Sequence, residues 1–157
     1  MKDQSEQNNN IPFSFDDYDD VLGFVVSQAA SMLGQSLKSA IAEAGFDITP
    51  RDFALLNRLH QHGQLNQSQL ANLTYKDRPA VTRILDKLIK SGYVKKLTCD
   101  DDRRAFQVSL TAKGEKVRKA IVPLAIDMAV SACEGIPKKD LITTLNTLKS
   151  ITAKMSN

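Results

Sequence analysis

Apolar positions in this chain recur at spacings of three and four, give way to alternation in the middle third, and then return to helical spacing. From about Asp16 to Ala44 one stripe holds Tyr18, Leu22, Val25, Ala29, Leu33, Leu37, Ala40 and Ile41, which predicts a long amphipathic helix. The acidic run DDYDD at its start suits the positive end of a helix dipole, and Gly45 is placed to end it. A second helix opens at Thr49 as N-cap, with Pro50 at its first position and Ile48 and Phe53 as a hydrophobic staple. Its inner residues are Phe53, Leu56 and Leu59, and Gly63 follows it. A third, short helix is capped by Asn66, with Gln69 reaching back and Leu70, Ala71 and Leu73 inward.

The fourth helix, residues 77–91, has the cleanest pattern. Val81, Ile84, Leu85, Leu88 and Ile89 form one stripe, and Arg78, Thr82, Arg83, Asp86, Lys87 and Lys90 lie opposite. Two extended segments follow, YVKKLT (93–98) and FQVSL (106–110), joined by the polar stretch CDDDRRA as the tip of a hairpin. Thr111 then caps a helix with Val117, Ile121, Leu124 and Met128 inward and Pro123 expected to bend it. A last helix starts near Pro137 and carries Leu141, Leu145, Leu148, Ile151 and Met155.

Three short helices followed by a hairpin predict a winged helix-turn-helix within a mainly α fold. Composition narrows the function classes. The 157 residues are 42% hydrophobic and 25% charged, which is ordinary for a globular protein. No apolar run is long enough to cross a membrane. The polar start MKDQSEQNNN lacks the apolar core of a secretory signal, and residues 1–12 are expected to form a disordered tail. Cys99 and Cys133 suit a reducing cytoplasm rather than a disulfide framework. His60 and His62, two apart on a helix, point in different directions and make a poor metal pair. Paired carboxylates with a histidine, a nucleophile elbow and a phosphate-binding glycine loop are all missing, so the chain reads as neither an enzyme nor a cofactor binder.

Charge is where the picture changes. Between Lys76 and Arg104 lie nine basic and five acidic residues, while the whole chain nets only +3. A local positive face on a helix suggests a polyanion. A helix of this kind fits a major groove about 12 Å wide, and residues near its N-terminus reach deepest. That nominates Arg78, Pro79, Thr82 and Arg83 for base edges, with Lys87 and Lys90 on the phosphates. Asn66, Gln67 and Ser68 at the start of the bracing helix, with Lys76, complete the expected double-stranded DNA contacts. At the hairpin tip Arg103 and Arg104 are placed for a narrow minor groove, with Asp102 orienting one of them.

NQSQLANLT, RPAVTRILDKLIKSGYVKK and DDRRAFQVSLTAKG together resemble the multiple antibiotic resistance regulator (MarR) family. Val81-Thr82-Arg83 matches its recognition helix, Leu88, Gly92 and Val94 its exit, and Asp102, Arg104, Leu110, Thr111 and Gly114 its wing. Pro79 departs from the usual Ser or Thr, which puts one phosphate contact in question. The resemblance covers residues 16 to 155 and implies a homodimer. Residues 13–45 and 115–157 would then interlock as a helical dimerisation region around a winged DNA-binding domain, 46–114. Phe13, Phe15 and Tyr18 with Leu141, Leu145, Leu148 and Ile151 offer more apolar surface than a lone chain would cover. Twofold symmetry implies a pseudo-palindromic operator with half-sites about 34–36 Å apart. The resemblance further implies a repressor relieved by a small, often aromatic, ligand. Two other readings stand beside it: a thiol-based redox regulator, for which the family's early helix cysteine is missing, and a winged helix used only for protein contacts, which would not need the basic face.

Overall fold

The computed structural model of the chain describes residues 19, 21–97 and 106–156. Six helices and three short strands follow in the order α1 (Leu22–Glu43), α2 (Pro50–His62), β1 (Leu65–Asn66), α3 (Gln67–Thr74), α4 (Arg78–Lys90), β2 (Val94–Leu97), β3 (Gln107–Leu110), α5 (Ala112–Ala132) and α6 (Lys138–Met155). The mainly helical winged architecture expected from the sequence is therefore present. Phe13, Phe15, Tyr18, Cys99, Asp102, Arg103 and Arg104 lie outside the described residues.

Local chemistry starts the helices where the sequence indicates. Thr49 Oγ1 accepts from Asp52 N at 3.2 Å while Asp52 Oδ2 accepts from Thr49 N at 2.9 Å, a closed capping box. Asn66 and Gln69 repeat the arrangement at α3, both bonds at 2.8 Å. Asp77 Oδ1 accepts from Ala80 N at 2.7 Å to open α4, and Thr111 Oγ1 accepts from Gly114 N at 3.0 Å to open α5. Helix α1 differs from expectation. It begins at Leu22 rather than near Asp16, because Val21 takes extended backbone (φ −74°, ψ 114°) as its cap, and its first turn contains no acid. Pro123 is accommodated within α5, which runs unbroken through it as a helix.

The sheet has three strands, not two. Leu65 pairs with Val108 and Asn66 with Gln107, so β3 lies between β1 and β2 in an antiparallel order. Strand β1 is only two residues long and overlaps the cap of α3, which leaves it no periodic signature. One hydrophobic core binds these parts: Leu55, Leu56 and Leu59 of α2, Leu70 of α3, Val81, Leu85 and Leu88 of α4, and Val94 and Val108 of the sheet. Ile41 from the end of α1 and Ile121 from α5 belong to the same core, which ties both long helices to the winged unit. Burying a side chain of this size stabilises by roughly 1.5–3 kcal/mol.

Beyond that junction the apolar stripes stay uncovered within the chain. Val25 and Leu33 from the apolar stripe of α1 are exposed, as are Ile126 and Val130 of α5 and Leu145 of α6. Helix α6 buries no residue at all.

Candidate nucleic-acid interface

Helix α4 is split lengthwise. Val81, Leu85 and Leu88 are buried, Ile84 and Ile89 partly so, Pro79, Arg83, Asp86 and Lys90 are exposed on the other side, and Arg78 is exposed at the first position of the helix. Pro79 sits in the first turn, where no intrahelical partner for its missing N–H is needed. At the far end Lys113 Nζ donates to Ser91 O at 2.8 Å and lies 4.9 Å above the Tyr93 ring, fastening the exit of α4 to the start of α5. Thr111 Oγ1 donates to Gly92 O at 2.7 Å beside it.

The nominated DNA-facing residues separate into two groups. Pro79, Arg83 and Lys90 stand exposed on one face of α4 and Arg78 is exposed at its first position, while Lys76 and Ser68 are half-buried. Asn66, Gln67, Thr82 and Lys87 are engaged within the chain. Asn66 serves as the α3 cap, and Gln67 Nε2 donates to Thr82 Oγ1 at 3.3 Å across the helix-turn-helix. Thr82 in turn donates to Arg78 O at 2.9 Å.

Lys87 is held within the chain. The sequence offers it to phosphates, but its Nζ donates to Asp52 Oδ2 at 2.9 Å and lies 3.7 Å from Asp47 Oδ1. Asp52 is 3% exposed and, among the described residues, the only charged side chain in the core. A carboxylate so buried needs a cation, and Lys87 supplies it. The hydrogen bond to Asp52 holds the Lys87 ammonium above its ordinary pKa of 10.5, so it stays charged at neutral pH. The signal that could have pointed to Asp52 is its place three residues after Thr49, where an acid closes a capping box.

His60 is likewise more than a bare surface histidine. Its Nδ1 lies 3.1 Å from Glu115 Oε2, and Arg118 donates to the same carboxylate from Nε at 3.2 Å and Nη2 at 3.0 Å. Tyr75 is a residue that sequence reasoning missed. It caps α3 in the left-handed region (φ 52°) and is 70% exposed between the two helices of the turn. Cys133 is half-buried at the end of α5. Among the described residues no His, Cys, Asp and Glu cluster suits a metal, and no helix is long and apolar enough to cross a membrane.

This geometry meets known proteins at one point. Residues 48–106 match the MarR family model. The chain is also 30% identical over 111 residues to the HTH-type transcriptional regulator FarR of Neisseria gonorrhoeae, covering 71% of this chain and 75% of that protein. The chain belongs to the MarR family. This MarR-family protein is thus a DNA-binding transcriptional regulator with a winged helix. Its fold is shared with a mutant Escherichia coli MarR complexed with operator DNA, at 23% identity and a TM-score of 0.76, covering 83% of this chain and 92% of that one. It is shared as well with BpsR of Bordetella bronchiseptica, whose DNA binding is regulated by 6-hydroxynicotinic acid, at 19% identity and a TM-score of 0.78, covering 90% and 98%. Identities this low carry the fold and no more.

Proposed function

We propose that this MarR-family protein is a homodimeric repressor that lays α4 of each subunit into successive major grooves and is released by a small aromatic ligand. The observation that carries the DNA reading is the division of α4 into a buried apolar stripe and an exposed cationic face. Arg78 and Arg83 are the base readers, since a guanidinium meets guanine O6 and N7 with two hydrogen bonds. Lys76 and Lys90 meet phosphates, and the hairpin tip with Asp102, Arg103 and Arg104 probes the adjacent minor groove. That the E. coli protein sharing this fold is found complexed with operator DNA supports DNA as the partner.

In this reading residues 46–114 form the DNA-binding domain, and 13–45 with 115–157 the dimerisation region. The exposed Leu145, with half-buried Leu141, Leu148 and Ile151 on α6 and the uncovered stripe of α1, supports a second copy of the chain as their cover. Phe13, Phe15 and Tyr18 would extend the same surface.

For the ligand, a groove of about 610 Å³ runs between α1, the start of α2 and α4. Lys38 and Arg51 line it with Thr49 and Ile84, so an aromatic compound bearing an anionic group suits it, and a ligand there would lie beside Ile84 of α4. The 6-hydroxynicotinic acid response of BpsR supports a ligand of this kind.

The test is binding to the DNA upstream of the protein's own gene, across a salt series, with and without hydroxylated aromatic acids. A retarded complex whose affinity falls steeply with salt, footprints two half-sites and weakens with one of the acids is expected. Absence of any shift and of any salt slope would overturn the DNA reading.

A further inference from the structure

Helix α4 is held by two polar contacts that flank its exposed face. Successive residues turn by roughly 100° about a helix axis, which places Pro79, Arg83, Asp86 and Lys90 on one arc with Thr82 at one border and Lys87 at the other. Gln67 Nε2 of α3 grips Thr82 at 3.3 Å, and Asp52 Oδ2 of α2 grips Lys87 at 2.9 Å. The apolar stripe behind them can slide or roll by small amounts at modest cost, because dispersion contacts are non-directional and cores accept small repacking. A hydrogen-bonded ion pair cannot. A roll that carries Lys87 out of reach leaves the Asp52 carboxylate buried without its cation, and Asp52, already fixed by Thr49 N at 2.9 Å, has no freedom to follow.

We infer that Asp52, acting through Lys87, is a positioning residue that sets the roll of the recognition helix and thereby the operator preference of the protein. Asp52 belongs to α2 and faces the core, so it acts without touching DNA. Lys87 is spent on this contact and carries no phosphate. The roles of the two lysines on α4 therefore differ: Lys90, exposed, supplies charge to the DNA, and Lys87 supplies orientation. A small roll of α4 swings Arg78 and Arg83 relative to the base edges, where bidentate bonds tolerate little error. It disturbs the phosphate contacts far less, since the exposed Lys90 follows a phosphate at the surface without leaving a buried charge unpaired.

The inference rests on α4 being the DNA-reading helix, and the experiment separates the two claims. Full-length wild type, Asp52→Asn, Lys87→Met, Lys87→Arg and the double Asp52→Asn/Lys87→Met variant are titrated with fluorescent operator and with random duplex over a salt series. Circular dichroism confirms that each is folded. Asp52→Asn and Lys87→Met are each expected to weaken operator binding about tenfold and random binding less than twofold, with the salt slope unchanged. The double variant should be no worse than either single one, and Lys87→Arg should restore operator affinity because a guanidinium still reaches the carboxylate. Should Asp52→Asn fail to fold, the double variant, which leaves no buried charge unpaired, carries the comparison.

Lys87→Met weakening both DNAs equally, with the salt slope reduced by about one, would return Lys87 to the phosphates and overturn the inference. So would an operator preference left intact by Asp52→Asn. A wild type that prefers no sequence would instead overturn the reading beneath it.

Discussion

His60 and Glu115 meet at 3.1 Å across 55 positions of sequence, joining the end of α2 to the first turn of α5. Arg118 completes the cluster, donating twice to Glu115 and once, from Nη1 at 3.4 Å, to Asn57 Oδ1. The junction between the winged unit and a long helix is therefore ionic at its rim and apolar, through Ile121, at its centre.

That cluster makes stability depend on acid. The hydrogen bond from Arg118 holds the Glu115 carboxyl below its ordinary pKa of 4.5, with His60 adding to the effect. A carboxyl depressed in the folded state stabilises fully above its unfolded pKa and loses that contribution as pH falls through the folded value. Chemical denaturation of wild type and Glu115→Gln at pH 7 and at about pH 3 should show a wild-type advantage at pH 7 that shrinks in acid. An advantage of equal size at both pH values would contradict the assignment.

Gly114 admits no side chain. A Cβ there would collide with the Tyr93 carbonyl oxygen, a backbone atom that also accepts from Thr111 N at 3.1 Å and so has no room to retreat. Gly114→Ala should destabilise by about 2–3 kcal/mol and lower the Tm by roughly 5–10 °C. A thermal melt unchanged within about 1 °C would show that the backbone at Tyr93 and the first turn of α5 separate more easily than their contact implies.

Arg83 is exposed in the centre of the cationic face of α4. Arg83→Ala should weaken binding to the operator by about 10- to 100-fold and to random duplex far less, because a base contact discriminates by about 1–3 kcal/mol. Equal losses on both DNAs, read by anisotropy at fixed salt, would assign Arg83 to the phosphates instead.

Leu145 is 56% exposed on a helix with no buried residue. Leu145→Asp would place a charge in the proposed dimer contact. Sedimentation should then give a monomer that no longer binds the operator, while a dimeric variant would refute the placement of α6.

The sequence alone determined the features whose causes lie within one helical turn. Thr49, Asn66 and Thr111 announce their helices because a cap bonds an amide three residues on. The stripe of Val81, Leu85 and Leu88 announces a buried face because spacing fixes direction around a helix. With the motifs of the exit and wing, that was enough for the fold and for the exposed residues Arg78, Arg83 and Lys90. What tertiary structure decided is everything that depends on a remote partner. Lys87 looks like its neighbour Lys90 until folding brings Asp52, 35 positions away, against it. Strand β1 exists only because Val108 lies opposite Leu65. Periodicity also set Val25 and Leu33 on one apolar stripe of α1, and both are exposed within the chain, since such a stripe states which side of a helix seeks cover and not what provides it.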